Sequence, residues 1–244
     1  MKKIILTAVA ILAVAGVANA RSIVGSQHDM TTNVFGGAQT DQICVYCHTP
    51  HNAAQNIPLW NRVNPSVSSF QLYKDSITLT AETKNNSQLF NDSVSTFCMS
   101  CHDGVTKVGA IKNLPAPDSA PVFRGDAVNP TPFGNALGTS YAAIGNDGQS
   151  LKNDHPIGFD FSVVASTDQN ESQTGGIHTI AEVKSAYGIS NTSPYQPFYN
   201  SNNGARSNQM ECASCHKVHD PGTSFNFLRK ENAGSALCLA CHIK

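Results

Sequence analysis

The sequence is short of the residues that ordinarily build and decorate a globular protein. Charged side chains make up 14% of the 244 residues, against roughly a quarter in soluble domains generally, and there is a single tryptophan. With 16 basic and 17 acidic residues the formal charge is −1, so the basic excess of a nucleic-acid-binding surface is missing. No cysteine precedes Cys44, which excludes lipid attachment at a cleaved amino-terminal cysteine. One apolar run, Ile4 to Ala18, has no later counterpart and is shorter than the roughly 20 residues that span a bilayer. Lys2 and Lys3 before it and Ala18-Asn19-Ala20 after it form the pattern of a secretory signal, expected to occupy residues 1–20. The expected mature chain, 21–244, is exported, has no transmembrane segment after cleavage, and carries 14 basic and 17 acidic residues. Asn, Ser and Thr fill roughly a quarter of it. Aliphatic side chains alone make a thin core for that length.

What is present is a repeated pattern. All eight cysteines fall in Cys44-Val-Tyr-Cys47-His48, Cys98-Met-Ser-Cys101-His102, Cys212-Ala-Ser-Cys215-His216 and Cys238-Leu-Ala-Cys241-His242. In a helical turn, positions i, i+3 and i+4 project from one face, so two thiols and an imidazole can meet one planar group. Cys-x-x-Cys-His is the attachment pattern of c-type haem, in which the thiols bond the porphyrin and the histidine binds iron. Disulfides, the usual fate of paired cysteines in exported chains, leave the four histidines unexplained. Zinc needs four ligands per site and does not demand a histidine after every pair. Four covalent c-type haems and a short helix at each motif are therefore expected, with Ser95 and Ser235 as N-caps and Gly104 as a C-terminal stop.

Five histidines lie outside the motifs: His28, His51, His155, His178 and His219. Four irons need at most four further ligands, so bis-histidine coordination accounts for all but one. His51 and His219 extend their motifs to CxxCHxxH, and since His48 and His216 hold their own irons, each extension reaches for a neighbouring haem. His155 stands before Pro156 and an apolar stretch, His28 on a polar amino-terminal arm, and His178, in Gly175-Gly176-Ile177-His178, is the expected spare. Methionine is the alternative ligand and would raise the potential, with Met30 and Met210 available.

The motifs fall into two pairs, each a CxxCHxxH followed by a plain CxxCH, which reads as a diverged duplication. The expected organisation is one domain, 21–244, with haem pair one at 41–104, a loop-rich insertion at 105–205 and haem pair two at 206–244. Residues Ile111 to Gly148 are rich in proline and glycine without sustained period, and read as extended loop. The expected fold is that of a multihaem cytochrome c: mostly irregular loops, short helices at the motifs, and a core built around stacked haems. Ser69 to Tyr73 and Gly158 to Phe161 are candidate small strands or haem-packing loops, and Trp60 is expected to cover a porphyrin face.

Through Gly25–Met30, Cys44–Asn52, Cys98–Gly104, His155–Phe159 and Glu211–Cys241, including Phe227-Leu228-Arg229-Lys230, the chain resembles the doubled-CXXCH multihaem cytochromes. Among these it looks most like the outer-surface tetrahaem cytochrome E group of metal-reducing bacteria. The resemblance implies bis-histidine haems in a continuous series and, for some members, extracellular filaments in which a histidine of one subunit ligates a haem of the next. His28 is the residue it suggests for that role. Expected partners are redox donor and acceptor proteins or extracellular acceptors, at a periplasmic or outer-surface location, with no catalytic residues. A multihaem reductase with one open iron position, or a haem subunit of a membrane complex, is the competing reading.

Overall fold

A computed structural model describes residues 23–30, 42–54, 58–106, 110–113, 143–144, 149–171, 176–193, 195–219 and 226–244. The expected signal segment and most of the proline-rich stretch lie outside these residues.

Regular structure is sparse and short, with longer helices than the motifs alone require. In chain order the helices are α1 (Ala81–Asn86), α2 (Val94–His102), α3 (Phe161–Glu171), α4 (Ile180–Ala186) and α5 (Cys212–Cys215). Single 3-10 turns at Ile43–Tyr46 and Cys238–Ala240 complete the set of motif helices, so every motif carries at least one helical turn. The strands are β1 (Gln71–Leu72), β2 (Ser150–Leu151), β3 (Gly176–Ile177), β4 (Tyr199–Ser201), β5 (Arg206–Gln209) and β6 (His242–Ile243). They form three two-stranded ribbons: β1 with β2 in parallel, and the pairs β3·β6 and β4·β5 antiparallel.

Local chemistry explains where these elements begin. The Thr80 hydroxyl accepts from the Thr83 N–H and starts α1. The Asp160 carboxylate accepts from the Ser162 N–H at 2.9 Å and starts α3. At α4, Thr179 and Glu182 form a reciprocal capping box that satisfies two backbone donors. Replacing Thr179 by alanine is expected to cost about 1 kcal/mol, read as a lower urea midpoint at unchanged slope. Gly104, at φ +78° just past α2, stops that helix as expected.

Two capping assignments change. Ser93, not Ser95, is the residue before α2, and Ser95 lies inside the helix, fully buried. Leu237, not Ser235, precedes the fourth motif's turn, while Ser235 sits in the left-handed region at φ +64°. Of the candidate strands, Gln71–Leu72 forms, whereas Gly158 to Phe161 does not; only Asp160 makes an isolated bridge, to Gln209, before α3 takes over. Of the described residues between the motif pairs, Phe161–Glu171 and Ile180–Ala186 are helical, because Asp160 and the Thr179–Glu182 pair supply helix starts.

Two apolar clusters hold these pieces. The larger joins Phe159, Phe161, Val164, Ala165, Ile177, Val183, Phe198 and Met210, with Cys215 and Cys241 packed against it. Phe161 and Phe198 stack at 4.1 Å between centroids, which adds about 0.5–1.5 kcal/mol to their burial. The smaller contains Phe70, Leu89, Met99 and Leu151. Met99, between the cysteines of the second motif, is completely buried. Each cluster therefore presses on a cysteine motif, and the fold is organised around the motifs.

Candidate functional site

Each motif closes into a tight turn. The His48 N–H donates to the Cys44 carbonyl at 2.8 Å, and the His216 N–H to that of Cys212 at 3.1 Å. The i, i+4 hydrogen bond puts both thiols and the imidazole on one side of the turn. All eight cysteines are free thiols.

Cysteines of successive motifs lie close enough to influence one another. Cys47 interacts with Cys101, the Cys98 and Cys212 thiols are hydrogen-bonded, and Cys215 interacts with Cys241. Motifs one to four therefore lie in sequence order, each beside the next. Burial pushes the Cys47 and Cys215 thiols up to about 12 and Cys241 up to about 11. In the Cys98–Cys212 pair the shared hydrogen bond raises Cys98, with burial adding to it, and lowers Cys212 against the effect of burial.

Three of the four motif histidines face a histidine from elsewhere in the chain. His48 faces His219 at 5.8 Å between ring centroids, His102 faces His28 at 5.9 Å, and His242 faces His155 at 6.3 Å. His28 is lowered to about 4 by burial, with repulsion from His102, His216 and His219 adding to it. His219 is lowered by burial and by His48. Both are therefore neutral imidazoles at pH 7, the form that binds metal.

The first and third motifs share one local design at an offset of 168 residues. Nδ1 of His48 lies 2.7 Å from the Pro58 carbonyl, and Nδ1 of His216 lies 2.8 Å from that of Asn226. A carbonyl only accepts, so both rings carry their proton on Nδ1 and leave Nε2 as the free lone pair, the usual arrangement behind a metal-binding imidazole. The Leu59 and Phe227 carbonyls receive the N–H of Thr49 and Lys217 in matching positions. Leu59 and Phe227 both adopt positive φ, 62° and 57°, to make the return possible. Even the brace is repeated: Asn61 donates to the Val45 carbonyl and Arg229 to that of Ala213. These supporting residues were not legible in the sequence, since backbone carbonyls carry no motif.

Residues 205–244 match the family model described as the doubled CXXCH motif. That motif marks covalent c-type haem and fits an electron-transfer cytochrome. The match spans the third and fourth motifs, and no curated protein matches the chain. Such cytochromes are typically exported proteins. Among the described residues no helix is long and apolar enough to cross a membrane.

The histidine pairs provide a test of whether the residues suit that group. Two imidazoles on opposite sides of one metal, with metal–nitrogen bonds of about 2 Å, have centroids about 6 Å apart. The three measured separations, 5.8, 5.9 and 6.3 Å, agree. His28 and His219 are held neutral by burial, and His48 and His216 have Nδ1 tied back to a carbonyl, which leaves Nε2 free for a metal. The residues fit.

The remaining histidines stand apart. His216 and His51 are exposed and His178 half-buried, none with a facing ring among the described residues. Nδ1 of His178 lies 3.5 Å from the Glu182 carboxylate. Met30 and Met210 are buried, the latter inside the larger apolar cluster. Trp60 packs edge-on against His48 at 5.6 Å and against Phe97 at 5.2 Å, beside the first motif.

Proposed function

We propose that the chain transfers electrons through four covalently attached c-type haems, one per motif, arranged in haem pairs 41–104 and 206–244. The observation that carries this reading is the set of three facing histidine pairs, each joining a motif histidine to one outside the motifs. Haem, when bound, supplies reversible one-electron chemistry at iron. Cys44 with Cys47, Cys98 with Cys101, Cys212 with Cys215 and Cys238 with Cys241 provide the attachment points. His48, His102, His216 and His242 would hold the iron, together with His219, His28 and His155 at the first, second and fourth motifs. An iron held by two imidazoles would have no vacant position for substrate, which favours conduction and a low potential.

The repeated design supports a choice of fourth ligand. His48 and His216 occupy equivalent positions, as do His51 and His219, and His219 reaches His48. By the reciprocal exchange His51 would serve His216, which leaves His178 as the spare. Run between copies, the same exchange would build the homopolymer that the filament reading requires. His28, the residue that reading suggested for a neighbouring copy, faces His102 of its own chain. Electron microscopy of the exported holoprotein tests assembly, and a uniformly monomeric particle would end the filament version.

The competing reductase reading draws on the same feature, because a motif histidine without a facing ring is what an exchangeable iron position has. Carbon monoxide separates the two. The reduced wild type is expected to show no spectral shift, while His51→Ala opens one position in four and shifts about a quarter of the haem absorbance. A shift in the wild type would favour the reductase.

A further inference from the structure

The second and third motifs are joined by a carboxylate that neither haem attachment nor iron ligation uses. Glu211, immediately before α5, is 1% exposed. Its Oε2 accepts from the Ser95 N–H at 3.1 Å and from the Ser95 hydroxyl. Ser95 lies on α2, the helix of the second motif, and its hydroxyl oxygen in turn accepts from the Cys212 N–H at 2.9 Å. The Ser93 hydroxyl also lies against the carboxylate. Oε1 is nevertheless buried without a hydrogen-bond partner among the described residues. A buried carboxylate oxygen left open is costly when ionised and is relieved by a proton.

Among the described residues no ion pair to Glu211 forms. Asp92, ahead of α2, repels it. Tyr199 on β4 also interacts with it, as do Cys98 on α2 and Cys212 on α5, whose sulfurs would be thioethers once haem is attached. The Arg229 guanidinium is committed to the Tyr199 hydroxyl at 2.8 Å and the Ala213 carbonyl at 2.6 Å. Burial, the largest influence, pushes Glu211 up to about 7 despite the hydrogen bonds from Ser95.

We propose that Glu211 is a proton-binding site coupled to electron transfer between the second and third motifs. This rests on the haem reading above. One electron enters from an external one-electron donor, and one proton from solvent forms an O–H bond at Oε1. On oxidation both leave, so the local charge is the same before and after. The added electron disfavours the neighbouring carboxylate, which fixes the sign: reduction takes up a proton, and the potential falls as pH rises.

The test is a redox titration of the haem-loaded protein between pH 5.5 and 8.5 as wild type, Glu211→Gln and Ser95→Ala, with intact mass counting the haems. In the wild type, the potential of part of the haem absorbance is expected to fall with rising pH, by at most 59 mV per tenfold change in proton concentration. Glu211→Gln keeps the shape, removes the proton site and is expected to flatten that dependence with the haem count unchanged. Ser95→Ala removes a hydrogen bond from the charged form and is expected to move the sloping region to higher pH. A slope that survives in Glu211→Gln overturns the proposal and assigns the dependence elsewhere, for example to haem carboxylates. A wild type without haem at these motifs overturns the haem reading instead. Should Glu211→Gln not fold, reduced-minus-oxidised infrared spectra of the wild type decide the matter. A protonated-carboxyl stretch that grows on reduction and shifts in heavy water supports the site, and its absence rejects it.

Discussion

Replacing Cys98 and Cys101 together by alanine is expected to remove one haem and to interrupt the series of motifs in its middle. The second motif lies beside the first through Cys101 and Cys47, and beside the third through Cys98 and Cys212. It also sits on α2, the longest of the motif helices, whose Ser95, Thr96, Phe97, Met99 and Ser100 are buried. Loss of attachment there opens a gap between the first motif and the third, whereas the double change Cys238→Ala and Cys241→Ala shortens one end. Intact mass spectrometry should show both variants one haem lighter. Rapid-mixing oxidation should separate them: the central variant is expected to slow the slowest phase at least about tenfold, equivalent to about 1.4 kcal/mol of barrier. Equal slowing by both variants would count against the linear order.

The largest expected effect on stability comes from Gly158→Ala. Gly158 has φ +76°, and a Cβ added there would stand 2.7 Å from the Gln88 carbonyl oxygen. Backing away is blocked on two sides, because the Gln88 N–H donates to the Gly158 carbonyl at 2.8 Å and the Gly158 N–H donates to that of Met210 at 2.7 Å. The left-handed backbone alone costs roughly 1–2 kcal/mol with a side chain, and overpacking of this kind adds about 1–3. Gly188 has a similar φ, +69°, with nothing near its Cβ position, so Gly188→Ala should show only the first cost. Thermal melts of the two variants are expected to differ by several degrees, at roughly 2–4 °C per kcal/mol for a chain of this size. Gly158 also follows His155 by three residues, so the same substitution should disturb the His155–His242 pair. A changed haem spectrum in Gly158→Ala and an unchanged one in Gly188→Ala is the expected signature.

Helix starts were partly legible. Asp160 ahead of Phe161, and Thr179 three residues before Glu182, are ordinary N-terminal signals, and they mark two helices that proline-rich surroundings concealed. Ser95 carried the same kind of signal and meant something else: its hydroxyl binds a carboxylate 116 residues away. Local pattern cannot distinguish these cases, since a serine hydroxyl near a helix start bonds whichever group the tertiary fold brings closest.

Ligand pairing shows the same boundary. Histidine supply, four motif histidines and five others, pointed to imidazole pairs without saying which. That His219 would face His48, and His28 would face His102, depends on contacts spanning 171 and 74 residues, set by how the two apolar clusters dock the motif helices.

The Cys-x-x-Cys-His motifs, their helical turns and their covalent chemistry were determined by the sequence alone, because all of that chemistry acts within five consecutive residues. The order of the motifs in space, the histidine pairs and the buried Glu211 between two of them were decided by tertiary structure. Each requires side chains distant along the chain to meet within a few ångströms, and only the packed fold supplies that proximity.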